Sequence, residues 1–298
     1  MGKNAFSGYH PFVQLFFFSS VMLMTMMGNQ PVLLLLSFAA SLVYSLYLAR
    51  KKALRAMLTW ILPAFVGIAV INPLFNHAGM TILFYLPDGN PFTEESLVYG
   101  LAAGGMFSTI LMWCLCLRYT IRSDGVLYLF GRFTPHLGLL LSMILRFVPE
   151  FSAQFRRVRG AQKCLGRDIS QGGWLQRFRN GVRILSSVIG WAMEHSVETA
   201  DSLRSRGYGL GRRTSFSLIR FEKRDAAALI WILLTATTAL AALTGTEWVE
   251  FFYFPAMTPL EWTVQAGLVY LDAALLCWMP AVIDWREDRI WKSLRSVS

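Results

Sequence analysis

Residues 31–52 read PVLLLLSFAASLVYSLYLARKK. From Pro31 to Ala49 the run carries no charge, and three cations, Arg50, Lys51 and Lys52, follow at once. A helix rises 1.5 Å per residue, so the run reaches about 28 Å, close to the roughly 30 Å of a bilayer's hydrocarbon core. Similar runs occur at about 12–28, 56–74, 97–118 and 226–244, and in slightly more polar form at 263–283. The first does not read as a cleaved signal peptide: only Lys3 precedes it, no small-residue cleavage site follows it, and the next run starts three residues later. Gly28-Asn29-Gln30-Pro31 is a tight turn that folds the first two runs into a helical hairpin.

Composition agrees. With 55% hydrophobic and 15% charged residues, a soluble domain would lack the polar surface to cover its core. The net charge of +10 suits a nucleic-acid binder, but 22 Phe and 10 Trp in near-continuous apolar runs do not. Abundant aromatics exclude disorder. Cys114, Cys116, Cys164 and Cys277 form no CxxC pair, so neither a metal site nor a disulfide framework is indicated.

Cations set the orientation. Loops 72–96 and 245–262 contain no Lys or Arg, only acids such as Asp88, Glu94, Glu95, Glu247, Glu250 and Glu261. The other side receives Arg50, Lys51, Lys52, Arg55, Arg118, Arg122, Arg286, Arg289, Lys292 and Arg295. Six spans with both termini cytoplasmic put all 28 basic residues on the cytoplasmic side or at its interface. The expected fold is all-α: a polytopic membrane protein with about six transmembrane helices and a cytoplasmic module of long amphipathic helices. Its expected parts are 1–124, 125–224 and 225–298.

The middle part holds the charge. Residues 118–224 carry 19 Lys+Arg and seven Asp+Glu, so the rest of the chain is slightly acidic. Residues 125–148 are largely apolar and are expected to be interfacial or re-entrant. Two amphipathic helices follow, at about 150–165 and 182–206. In the first, Phe151, Phe155, Val158, Gln162 and Leu165 share a face. In the second, Leu185, Val188, Ile189, Ala192 and Ser196 belong to an apolar and small-residue stripe that must bury against lipid, its fellow helix or another protein. Both end on glycine, Gly166 and Gly207. Aligning those glycines pairs Lys163 with Arg204, Cys164 with Ser205 and Leu165 with Arg206. Cations at a helix C-terminus suit the macrodipole by about 0.3–1 kcal/mol each. Ordinary capping therefore stands beside a second reading, an arginine presented for a forked ion pair with a partner carboxylate.

Ala200-Asp201-Ser202-Leu203-Arg204-Ser205-Arg206-Gly207-Tyr208 resembles the second signature of the T component of energy-coupling factor (ECF) transporters, the EcfT/CbiQ family. Ala161-Gln162-Lys163-Cys164-Leu165-Gly166 resembles its first. Arg146-Phe147-Val148-Pro149, Asn72-Pro73-Leu74-Phe75 and His10-Pro11 match in the same order, so the resemblance covers roughly residues 10–245. It implies a subunit that links a substrate-capture membrane protein, the S component, to two cytoplasmic ABC-type ATPases for vitamin or metal-ion uptake. Two long coupling helices would cross in an X, each inserting a small-Arg-small end into one ATPase groove. By resemblance Ser205-Arg206-Gly207 is the intact end, whereas Leu165 stands where the family has arginine. Leu185, Val188, Ile189, Ala192 and Ser196, with 125–148, are expected to pack the coupling helices and meet the S component.

No G-x-x-x-x-G-K-[ST] loop occurs, so hydrolysis is expected from partners and the chain is expected to be non-catalytic, without cofactor, metal or nucleic acid. The rival readings are a secondary transporter, suggested by Asp272 inside the sixth span, and an ordinary ABC importer permease. Less favoured is a membrane-embedded hydrolase built on His77, Glu94 and Glu95, since no second histidine stands at metal-ligand spacing. His136 and His195 read as isolated.

Overall fold

The computed structural model describes residues 4–85, 90–121, 125, 128–129, 135–170, 172–208, 210, 220–245, 251–259 and 262–297. Its helices are α1 (Pro11–Met27), α2 (Pro31–Ala56), α3 (Leu62–Phe75), α4 (Glu94–Thr120), α5 (Pro135–Cys164), α6 (Trp174–Ser205), α7 (Lys223–Gly245) and α8 (Val264–Val297). A small antiparallel pair of strands, β1 (Ile82–Tyr85) and β2 (Pro91–Thr93), joins α3 to α4. The chain forms two compact units: Met1–Val126 with Ile219–Ser298, and Leu127–Leu218.

In the first unit, four stretches are long and apolar enough to cross a membrane: Pro31–Phe75, Glu94–Thr120, Lys223–Thr244 and Val264–Leu294. Pro11–Met27 is apolar but shorter. The loop expected after Ala49 is absent, because helix continues through Arg50, Lys51 and Lys52 and a π-helical turn, Met57–Ile61, into α3. Only Ala49 leaves the helical region, with φ −156° and ψ 66°. The chain nevertheless reverses there. Ser37, Ser41 and Tyr44 meet Trp113, Cys116 and Thr120 in rising order, so α2 runs parallel to α4. Gly100 lies against Asn72 and Pro73, and Gly104 against Phe65, so α3 runs antiparallel to it. One 45-residue segment thus supplies the second and third spans.

Glycine makes the α3–α4 contact possible: a Cβ at Gly100 would stand 2.9 Å from the Ala69 carbonyl oxygen, and one at Gly104 2.9 Å from that of Phe65. Small residues four apart let helix backbones approach where lipid gives no hydrophobic drive. Elsewhere buried polar groups tie the helices. Trp113 Nε1 donates to Ser37 Oγ at 3.0 Å, and that hydroxyl also bonds Thr25 Oγ1 at 3.0 Å, joining α4, α2 and α1.

The N-terminal segment is fastened to one end of this bundle. Phe6 is fully buried, edge-on to Phe17 and Phe18, and its N–H donates to Asp284 Oδ1 at 2.8 Å. His10 N–H donates to Asp225 Oδ1 at 3.1 Å, and Arg224 donates to the Gly8 carbonyl while lying over the Tyr9 ring. Tyr47 donates to Asp288 at the same end. Arg50, Lys51, Lys52, Arg118, Lys223, Arg224, Arg286 and Arg289 belong to this end by position along their helices. At the opposite end Tyr253 donates to the Asn29 carbonyl at 2.8 Å. There Glu95 also accepts from the N–H groups of Met80 and Thr81 and from the Thr81 hydroxyl. Its carboxylate therefore caps the turn ahead of β1.

Candidate functional site: two matched helix ends

The second unit is an antiparallel pair of helices. α5 starts at Pro135 and passes through Pro149, well before the expected start near 150, and α6 starts at Trp174 rather than 182. Both run on through charged sequence because each has one continuous apolar face. Phe147 meets His195 with ring centroids 6.0 Å apart, and Phe151 meets Trp191 edge-on at 5.7 Å. His195 is not isolated: it stacks on Trp191, with Nε2 3.3 Å from Glu150 Oε1 and Nδ1 3.6 Å from Glu198 Oε2. The His136 side chain lies outside the described residues.

Nearer the connection, Asp168 joins both helices. Its side chain is 2% exposed, and Oδ1 accepts from Arg159 Nε at 3.1 Å and from Ile169 N–H at 2.8 Å. Its Oδ2 accepts from the Ser170 hydroxyl, and its carbonyl accepts from Asn180 Nδ2 of α6 at 3.2 Å. The Ser170 hydroxyl and the Arg159 guanidinium hold the Asp168 carboxyl at about 2, below its ordinary 3.8. A depressed carboxyl stabilises the fold above its unfolded value and loses that effect as pH falls through the folded one. The connection should therefore hold its protection constant from neutral pH to about 4 and lose it between about 4 and 2. Amide hydrogen exchange at 165–173 measures this, and Asp168→Asn should remove the pH dependence.

The two helix ends have the same geometry. In α5, Gly166 adopts φ +71°; its N–H donates to the Lys163 carbonyl at 3.0 Å, and Arg167 N–H to that of Gln162 at 2.9 Å. In α6, Gly207 adopts φ +75°; its N–H donates to the Arg204 carbonyl at 3.0 Å, and Tyr208 N–H to that of Leu203 at 3.0 Å. Each is a Schellman motif, in which glycine supplies the left-handed residue at no steric cost. Leu165 and Arg206 occupy the same place, directly before that glycine. Backbone groups alone close both caps, so neither side chain is consumed by capping.

Both side chains face solvent. Leu165 is 66% exposed, Cys164, Ser205, Lys163 and Arg204 are exposed, and Arg206 makes no ion pair among the described residues. Because the helices are antiparallel, the two ends point opposite ways. Cys164 lies about 20 Å beyond Phe151 and Ser205 about 21 Å beyond Trp191, at 1.5 Å per residue. The ends therefore stand on opposite sides of the Phe151–Trp191 contact, up to about 40 Å apart.

Of the stripe expected on α6, Val188 is buried, while Leu185, Ile189 and Ser196 are exposed and Ala192 is intermediate. The face turned to α5 is Ile184, Val188, Trp191 and His195, selected by the aromatic partners on α5, and it shares Val188 with the expected stripe. A second face stays open: Trp174, Phe178, Val182, Leu185, Ile189 and Met193, spaced at three or four residues, are all exposed. No group of three or more His, Cys, Asp or Glu able to hold a metal occurs among the described residues.

The family model described as "Cobalt transport protein" (CbiQ) matches residues 2–218. The chain is 27% identical over 232 residues to the energy-coupling factor transporter transmembrane protein EcfT of Listeria innocua serovar 6a, covering 70% of this chain and 82% of that protein. It is 27% identical over 181 residues to EcfT 1 of Listeria monocytogenes serotype 1/2a, covering 56% and 67%. To the EcfT of Streptococcus thermophilus it is 33% identical over 98 residues, only 37% of that protein.

Proposed function

The chain belongs to the CbiQ cobalt transport protein family, and from that premise we propose that it is the transmembrane coupling (T) subunit of an energy-coupling factor transporter. It is a multi-pass membrane protein. The observation that carries the finer reading is the pair of identical helix ends, each presenting an exposed side chain directly before its left-handed glycine. Two such ends, facing opposite ways, suit two separate sockets rather than one. The sockets are grooves on two cytoplasmic ABC-type ATPases, and the basic end of the bundle faces the cytoplasm with both termini.

In this reading Arg206 makes a forked ion pair with an acidic residue inside its groove, and the small Ser205 and Gly207 admit it closely. Leu165, flanked by Cys164 and Gly166, fills a groove adapted to an apolar side chain, so the two ATPases differ where they receive it. Lys163 and Arg204, two residues back, meet the groove rims. When the ATPases close on ATP, they draw the two ends together. The α5–α6 pair pivots about Phe151–Trp191, and its open apolar face moves against a substrate-specific membrane S component. The S component selects the cargo, a vitamin or a metal ion.

Purification of the intact complex tests this: one copy of the chain with two ATPase subunits and one small membrane protein is expected. A solute-binding protein in place of the small membrane subunit would instead identify an ordinary importer permease. Leu165→Arg, which places the family's residue in a groove adapted to leucine, should leave Arg206 docking intact and lower complex yield less than a short charge would, because the long side chain can carry its guanidinium to the groove rim. Leu165→Asp should lower that yield at least severalfold by burying an unpaired carboxylate. Equal yields for Leu165→Asp and the native chain would show that this end does not dock.

A further inference from the structure

Asp272 is the only charged residue in α7 after Asp225 and in α8 before Asp284, and it lies in a segment apolar enough to cross a membrane. It is half-buried near the middle of that apolar stretch, about 12 Å along α8 from its start. Its one side-chain hydrogen bond among the described residues is from Thr238 Oγ1 of α7 to Oδ2, at 2.6 Å, on the exposed side of the α7–α8 pair. A shallow apolar groove of about 370 Å³ runs between the same two helices, lined by Trp231, Leu271, Ala274, Leu275, Trp278 and Val282 among others. An ionisable group held at this depth is costly and is normally paired within the membrane.

We infer that the outer face of α7 and α8 is a docking site for a single transmembrane helix of a partner protein, one carrying a lysine or arginine at the depth of Asp272. Charge complementarity selects this occupant. Lipid chains offer no partner to a carboxylate. The chain's own cations on these two helices all belong to the bundle's other level; the nearest to Asp272 on α8, Arg286, is about 21 Å along the helix. A second copy of this chain would bring to that depth only another Asp272 and a Thr238 already engaged. The groove beside Asp272, edged by two tryptophans, seats the apolar side chains of the incoming helix. This face lies beyond residues 2–218, where the family match ends, so the inference stands apart from the coupling role and fails separately from it.

The test uses the full chain, donor-labelled, in phosphatidylcholine vesicles with acceptor-labelled single-span polyleucine helices. One helix carries a single central lysine and the other carries none. The lysine helix should associate about tenfold more tightly by Förster transfer. Asp272→Leu should abolish the difference and Asp272→Glu should keep it. Leu275→Trp, which fills the groove without touching the charge, should weaken association of the lysine helix. Equal association of the two helices overturns the inference, as does a preference that survives Asp272→Leu. Asp272-dependent transfer between two labelled copies of the chain that exceeds transfer to the lysine helix also overturns it, assigning the face to self-association.

Discussion

Arg206→Ala should leave the chain in the membrane at normal abundance while co-purifying ATPase falls at least tenfold and ATP-driven uptake falls with it. The Gly207 and Tyr208 N–H groups close the α6 cap without the Arg206 side chain. Losing it therefore forfeits only the macrodipole effect on the helix, about 0.3–1 kcal/mol. Docking loses far more. Removing one partner of a desolvated, hydrogen-bonded charge pair costs about 2–5 kcal/mol, much of it from the carboxylate left unpaired. The magnitudes separate capping from docking: a change confined to helix stability would leave complex yield nearly untouched. Arg206→Lys should recover part of the yield, since a point charge replaces the fork. Unchanged uptake and unchanged ATPase recovery in Arg206→Ala would remove the role given to this end.

Phe6→Ala acts on the fold itself. The ring is fully buried among Tyr9, Phe17 and Phe18, and its own N–H is held by Asp284. Emptying such a site costs about 3–5 kcal/mol, and the cavity would open between α1 and α8, which the N-terminal turn otherwise joins. Thermal unfolding in detergent should move down on the order of 10 °C. Phe6→Leu, which keeps most of the volume, should move it by much less. A melting temperature unchanged by Phe6→Ala would mean that the first ten residues add nothing to the bundle.

The apolar runs were legible in the sequence because a membrane forces every span to satisfy its own backbone, so hydropathy alone marks it. The helix ends were legible too: Gly166 and Gly207 are local signals, set by a backbone angle that glycine adopts freely. The reversal after Ala49 was legible from Arg50, Lys51 and Lys52, but its form was not: no glycine or proline marks the break, and helix continues through the cations on either side of the one non-helical residue. The early start of α5 was hidden by Pro149, which reads as a boundary yet sits inside a helix. Nothing in the sequence marks the meeting of Asp168, Arg159 and Asn180, because it depends on how the connection folds back. The apolar stripe on α6 was found by its period, but which of its residues meet α5 was not: Val188, with Trp191 and His195, is turned to α5, and Leu185 and Ile189 are not. Periodicity marks a stripe's presence, and only the partner decides which edge of it is covered.

The central claim is that the two matched ends grip two different ATPase subunits at once. Cys164 already provides an exposed thiol at one end, and Ser205→Cys places one at the other, with Cys114 replaced to remove the second exposed thiol. Thiol-directed photo-crosslinking of this chain within the complete transporter should give an adduct of one chain with two ATPase subunits. Each single thiol alone should give an adduct with one subunit. Attachment of both ends to the same ATPase subunit, or of neither end to any, would contradict the account.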